Sequence, residues 1–183
     1  MNTKKALFGI VLILVILFLA INFLFSSDFD KATIELKSLE MRVNLDENIL
    51  LPGTKTDLAT YKSGLSALKR KWFGSSAFRD AVDLKLLMVE TGEEIFFIGD
   101  EFGKINRINP NCLESGEINS LKKITESAKK GFNNALVKRN RFVQVYPNEA
   151  KKLPEVSNES FEQTINGSII GVNKINEILG TYC

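Results

Sequence analysis

Hydrophobic positions recur along the chain with helical rather than strand spacing. From Ser27 or Asp28, either of which suits an N-cap, Phe29, Ala32, Leu36, Leu39 and Val43 follow at intervals of 3, 4, 3 and 4. That is the seam of a helix packing on another helix. Leu50-Leu51-Pro52-Gly53 interrupts it. Thr56 is the expected cap of a second helix, whose Leu58, Tyr61, Leu65, Leu68 and Trp72 repeat the same intervals. Phe73-Gly74-Ser75-Ser76 then forms a tight connection, with Ser76 as cap of a third helix.

The third segment is open to two readings. Phe78, Val82, Leu86 and Val89 keep helical spacing, but Thr91-Gly92-Glu93-Glu94 intervenes before Ile95-Phe96-Phe97-Ile98. One long helix containing a glycine fits. So does a hairpin of Leu84–Val89 and Ile95–Ile98 turning at Gly92, although neither run alternates strictly. A loop around Asn109-Pro110 follows. A fourth helix carries Ile118, Leu121, Ile124, Ala128, Phe132 and Ala135, and Pro147 or Pro154 ends it. A fifth, from Ser157, has Phe161, Ile165, Ile169, Val172, Ile175 and Leu179 on one face. The pattern predicts an all-α antiparallel bundle of four to five helices, because short connections favour antiparallel neighbours.

Before the bundle stands a different pattern. Ala6 to Phe25 is 20 residues whose only polar side chain is Asn22. As a helix this segment reaches about 30 Å, the thickness of a bilayer core. It lacks the polar stripe of a surface helix and the small residues of a cleavage site. The expectation is an N-terminal transmembrane helix of signal-anchor type at 6–25. Lys4 and Lys5 precede it and Asp28 and Asp30 follow, so the positive-inside rule makes 1–5 a cytoplasmic tail and 26–183 an extracytoplasmic domain. The expected location is the cell membrane, with a single pass.

Charge narrows the partners. The 183 residues hold 24 basic and 22 acidic groups, net +2, and Lys4 and Lys5 account for that excess. The remainder is neutral overall, so no surplus of cations is available to displace counterions, and nucleic acid is not an expected partner. The expected partners are the membrane itself and another envelope protein, with the oligomeric state left open.

Histidine is absent, which removes triads, Cys-His pairs and most zinc or di-iron sites. Only Cys112 and Cys183 are present. Antiparallel fourth and fifth helices bring both to one pole, which favours an intramolecular disulfide in an exported domain. An intermolecular bond and two free thiols are the alternatives. Asp80 to Glu101 carries net −6, and residues 117–141 carry net +5. They read either as a divalent-cation site and an anion surface, or, more simply, as complementary faces of two adjacent helices. Ser63 and Ser66 near Lys62 and Lys69 lack a buried lysine to act as base.

Lys69-Arg70-Lys71-Trp72-Phe73 and Lys138-Arg139-Asn140-Arg141-Phe142 fall at the same predicted pole. Lys69, Arg70, Lys71, Trp72, Arg139 and Arg141 are therefore candidates for contact with lipid headgroups, the alternative being a core Trp72 with solvated cations. Phe96, Phe97, Phe102 and Phe132 are candidates to line a pocket between helices.

The layout of short tail, one span and helical bundle resembles that of the LemA family, a likeness of layout that assigns no residues. Glu114-Ser115-Gly116 resembles the Glu-Ser of lysozyme-like lytic transglycosylases over three residues, without that family's downstream Gly-Leu-Met-Gln. The expected function is a non-enzymatic interaction or structural module of the cell envelope, with no cofactor and no metal. A small-ligand-binding domain is the first alternative, and a carboxylate-dependent hydrolase the second.

Overall fold

The computed structural model describes residues 28–46, 51–108 and 115–181. Helix α1 (Asp28–Arg42) leads into a pair of two-residue strands, β1 (Leu45–Asp46) and β2 (Leu51–Pro52). Helices α2 (Lys55–Lys71), α3 (Ser76–Ile108) and α4 (Ser115–Val145) follow. Single turns α5 (Pro147–Ala150) and α6 (Pro154–Ser157) precede α7 (Glu159–Thr181). The described chain is predominantly helical, as the spacing of apolar residues requires.

Local chemistry sets the boundaries. Thr54, two residues before the expected cap, accepts the Asp57 N–H through Oγ1 at 3.1 Å and starts α2. Trp72 N–H closes that helix on Leu68 O at 2.9 Å. α1 ends at Arg42, because two residues later Asn44 adopts φ 47°, a conformation asparagine tolerates better than most. The chain then pairs Leu45 with Pro52 and Asp46 with Leu51. Proline at the first position of both α5 and α6 ends the preceding segment and starts the next turn.

α3 is continuous through Gly92, so the hairpin reading fails. The reason for the glycine is tertiary. A Cβ at residue 92 would lie well inside contact distance of Leu51 Cδ1, so the glycine admits the β2 side chain onto the helix.

Pairings across helix faces fix their directions. Lys55, Lys62 and Lys69 of α2 meet Asp100, Glu93 and Asp83 of α3. Residue numbers fall on one helix as they rise on the other, so the two are antiparallel. The same inverse order relates α3 to α4 through Glu94–Ser127 and Thr91–Gly131, and α4 to α7 through Glu126–Asn176 and Arg139–Glu162. One core joins α1, α2, α3, α4, α7 and the two short turns. The α1 seam of Phe29, Ala32, Leu36, Leu39 and Val43 is buried throughout. Ile118, Leu121 and Leu179 form a second, smaller cluster where α4 begins and α7 ends.

Two expectations are corrected. No helix among the described residues is long and apolar enough to cross a membrane. The segment expected to span, 6–25, lies outside those residues, and the transmembrane, single-pass and cell-membrane reading finds no support in the structure. No disulfide is present among the described residues, and Cys112 and Cys183 both lie outside them. The cystine expected at one pole is withdrawn with it.

Candidate binding groove

In the half of the bundle that holds α1 and the end of α4, polar side chains lock the helices together. Lys85 Nζ on α3 lies 2.8 Å from Glu40 Oε1 on α1 and 3.1 Å from Glu155 Oε1 on α6. Tyr61 Oη on α2 donates to the same Glu40 oxygen at 2.9 Å. Burial pushes the Tyr61 phenol well above its ordinary range, against the opposing pull of the Lys85 charge. For Lys85, burial is the largest influence and favours the neutral amine. The negative groups beside it, Tyr61 once ionised, Glu40 and Glu155, outweigh that and hold the ammonium charged. At neutral pH the phenol is protonated, so the two carboxylates supply the stabilisation. A cleft of about 700 Å³ lies over this network, with Lys37, Asn44, Asn158 and Ser160 among its walls.

Sequence reading missed this network. Glu40 and Glu155 look like two of many surface glutamates, and Tyr61 like one more seam residue. The available signal was Lys85, which falls on the apolar stripe of α3 between Val82 and Met88.

Arg139 is equally occupied inside the fold. Its side chain donates to Val156 O at 3.0 Å and Ser157 O at 2.7 Å, and pairs with Glu162 at 2.6 Å. It is buried and caps the turn between α6 and α7 rather than facing outward. The other headgroup candidates divide. Lys69 pairs with Asp83 at 2.5 Å, and Lys71 pairs with Glu35 at 2.6 Å. The Lys71 ammonium also lies 5.6 Å from the Trp72 ring, whose Nε1 donates to Glu35 at 3.2 Å. The hydrogen bond from Lys71 holds the Glu35 carboxyl below the usual range. Trp72 packs half-buried against the core, while Arg70 and Arg141 are exposed. The antiparallel order does bring the ends of α2 and α4 to the same pole.

The acidic run on α3 also finds partners, but chiefly on α2 rather than α4. Asp83, Glu93 and Asp100 meet α2 lysines seven residues apart, and Glu94 accepts from Ser127 on α4. Among the described residues no group of three or more His, Cys, Asp or Glu could hold a metal ion.

The opposite half of the bundle is built differently. α3 and α7 each pack along α4 and touch one another little. Near Lys85, α6 fills the space between them. Further along no element among the described residues does, and an open apolar groove of about 420 Å³ remains. Ile95, Phe96 and Gly99 of α3 form one wall, and Ser168, Gly171, Val172 and Ile175 of α7 the other. Phe132 of α4 is the floor and Leu51 closes one end. At Gly99 and Gly171 the groove is open space, since a Cβ on either would meet nothing within 4 Å. Asp100 supplies a polar rim and is itself paired with Lys55.

Of the phenylalanines expected around a pocket, Phe96 and Phe132 line this groove. Phe97 is 45% exposed, outside it, and the Phe102 side chain lies outside those described. The α7 wall was not anticipated. Its signal was a pair of small residues, Ser168 and Gly171, on an otherwise isoleucine-rich helix. Ser63 is exposed beside Lys62, and Lys62 pairs with Glu93 at 2.6 Å. Glu114 lies outside the described residues.

No protein-family model, no curated protein and no solved structure matches this chain.

Proposed function

We propose that this protein is a non-enzymatic binding module that takes an apolar segment of another protein in the groove between α3 and α7. The observation that carries this reading is a missing layer. Two long helices flank Phe132 with little contact between them, and the apolar surface between them has no covering element among the described residues. Between Gly92 and Gly99 the α3 wall runs about two helical turns, roughly 11 Å. That length suits a partner helix presenting apolar side chains at i, i+3 or i+4, and i+7. The groove is half-open and its walls are mostly apolar, which admits a row of partner side chains. Chemistry is the weaker reading because Lys85, Glu40 and Glu155 are spent on neutralising one another.

A displayed library of helical peptides, panned on the whole protein, tests the proposal. Selected peptides are expected to share apolar residues at those intervals. Their affinity should fall at least tenfold on Gly99→Leu/Gly171→Leu, which fills open space without entering the core. Peptides with no such spacing, or binding unchanged by the double variant, would count against it.

A further inference from the structure

The far side of α4 carries a charge that no ion pair among the described residues answers. α4 turns its apolar stripe, Leu121, Ala128, Phe132 and Ala135, inward, and Lys123, Lys130 and Val137 stand seven residues apart on the opposite face. Lys122, Lys129, Lys138 and Arg141 flank them. Three α3 carboxylates, Asp83, Glu93 and Asp100, pair with the lysines of α2, and these six cations form no ion pair among the described residues. Glu126 is the one acidic residue on the stripe, and it accepts a 2.9 Å hydrogen bond from Asn176. A face serving only solubility mixes both signs. This one runs about 30 Å from Lys122 to Arg141 with a single sign dominating.

Apolar exposure marks the kind of partner. Val137 is 69% exposed and Val145 52%, both on α4. Val137 lies within one helical turn of Lys138 and Arg141 and two turns from Lys130. A phosphate backbone gains nothing from an exposed valine, whereas a protein segment seats a side chain on it and ranges carboxylates around it. We infer that the outer face of α4 docks an acidic protein segment, with Val137 as the apolar anchor and Lys123, Lys130 and Arg141 as its charge partners. The site is separate from the groove, which opens on the other side of the same helix, and does not depend on it.

Three fluorescent probes titrated into the whole protein test the inference: a Glu- and Leu-rich peptide of about 20 residues, matched to the 30 Å stripe, its Gln-for-Glu counterpart, and a DNA duplex. The acidic peptide is expected to bind, more weakly as salt rises, and the Gln peptide to bind at least tenfold less tightly. Lys123→Glu/Lys130→Glu should reduce acidic-peptide affinity at least tenfold, and Val137→Ser at least threefold. Gly99→Leu/Gly171→Leu should leave it unchanged. All these substitutions are at exposed positions, and unaltered circular dichroism confirms that the fold survives. The inference is overturned by absence of peptide binding at low salt, or by binding indifferent to the charge reversal. Tighter binding of DNA than of peptide, insensitive to Val137→Ser, would make the face a phosphate-binding surface instead.

Discussion

Lys85 and Glu40 meet at 2.8 Å inside the bundle, both of them buried, on helices that are not consecutive in the chain. A charge pair in such a place is sustained only by completeness. Tyr61 donates to the shared Glu40 oxygen, and Glu155 supplies a second carboxylate to the same ammonium. Four elements, α1, α2, α3 and α6, are thereby held in one register.

Removing the cation should be the most damaging single change in the network. Lys85→Met leaves two carboxylates facing each other without a counter-charge, and the expected loss is about 3–5 kcal/mol. Adding Glu40→Gln and Glu155→Gln should restore much of it. Urea denaturation of the single and triple variants measures both, and a triple variant no more stable than the single one would show that the charges are not what matters.

The same groups predict an alkaline limit. Tyr61 and Lys85 both titrate higher in the fold than in the unfolded chain. Their stabilising contribution is therefore complete below about pH 10, where both groups ordinarily begin to titrate, and is lost as pH rises further. The melting temperature should fall above that point more steeply in the natural protein than in Tyr61→Phe. Parallel curves for the two would exclude the phenol as a source.

Arg139 should resist conservative replacement. Its guanidinium serves three backbone carbonyls, those of Val156, Ser157 and Asn158, together with Glu162, a fork that an ammonium cannot reproduce. Both Arg139→Lys and Arg139→Ala are expected to lose about 2–4 kcal/mol, from hydrogen bonds to a charged group and the orphaned carbonyls. Hydrogen exchange should rise first at residues 154–159. Protection there equal to that of the natural protein would argue that the turn is held by its prolines alone.

Two glycines on helix interiors should respond in opposite directions. A Cβ on Gly131 would run into the Thr91 side chain, including its Cβ, which has no freedom to move aside. Gly131→Ala should destabilise by about 1–3 kcal/mol despite the better helix propensity of alanine. Gly167 faces open space, so Gly167→Ala should stabilise by up to about 1 kcal/mol. Thermal melts of the two separate local propensity from packing.

The ladder of Lys55, Lys62 and Lys69 against Asp100, Glu93 and Asp83 is conspicuous but should contribute little. All three pairs are substantially exposed, and each is expected to contribute about 0–1 kcal/mol. Lys55→Ala/Lys62→Ala should shift the melting temperature less than Lys85→Met does, and raising salt should shrink the shift further.

What local periodicity encodes was legible from the chain. A helix must bury its apolar stripe, so Phe29 through Val43, Leu58 through Trp72, and Phe161 through Leu179 announce both the elements and their inward faces. Short connections then imply antiparallel neighbours, and the pole shared by Lys69 and Arg141 follows by parity. Periodicity did not say which helix face meets which neighbour. That depended on three-dimensional packing, which gave three α3 carboxylates to α2 and left six α4 cations without an ion pair among the described residues. Gly92 is ambiguous in sequence because a turn and a close approach both require a missing Cβ, and only Leu51, far away in the chain, distinguishes them. Glu40, Lys85 and Glu155 became a network, and Gly99 and Gly171 a groove, because groups remote in sequence were brought within ångströms. Such encounters are set by the whole fold, and no local pattern of residues records them.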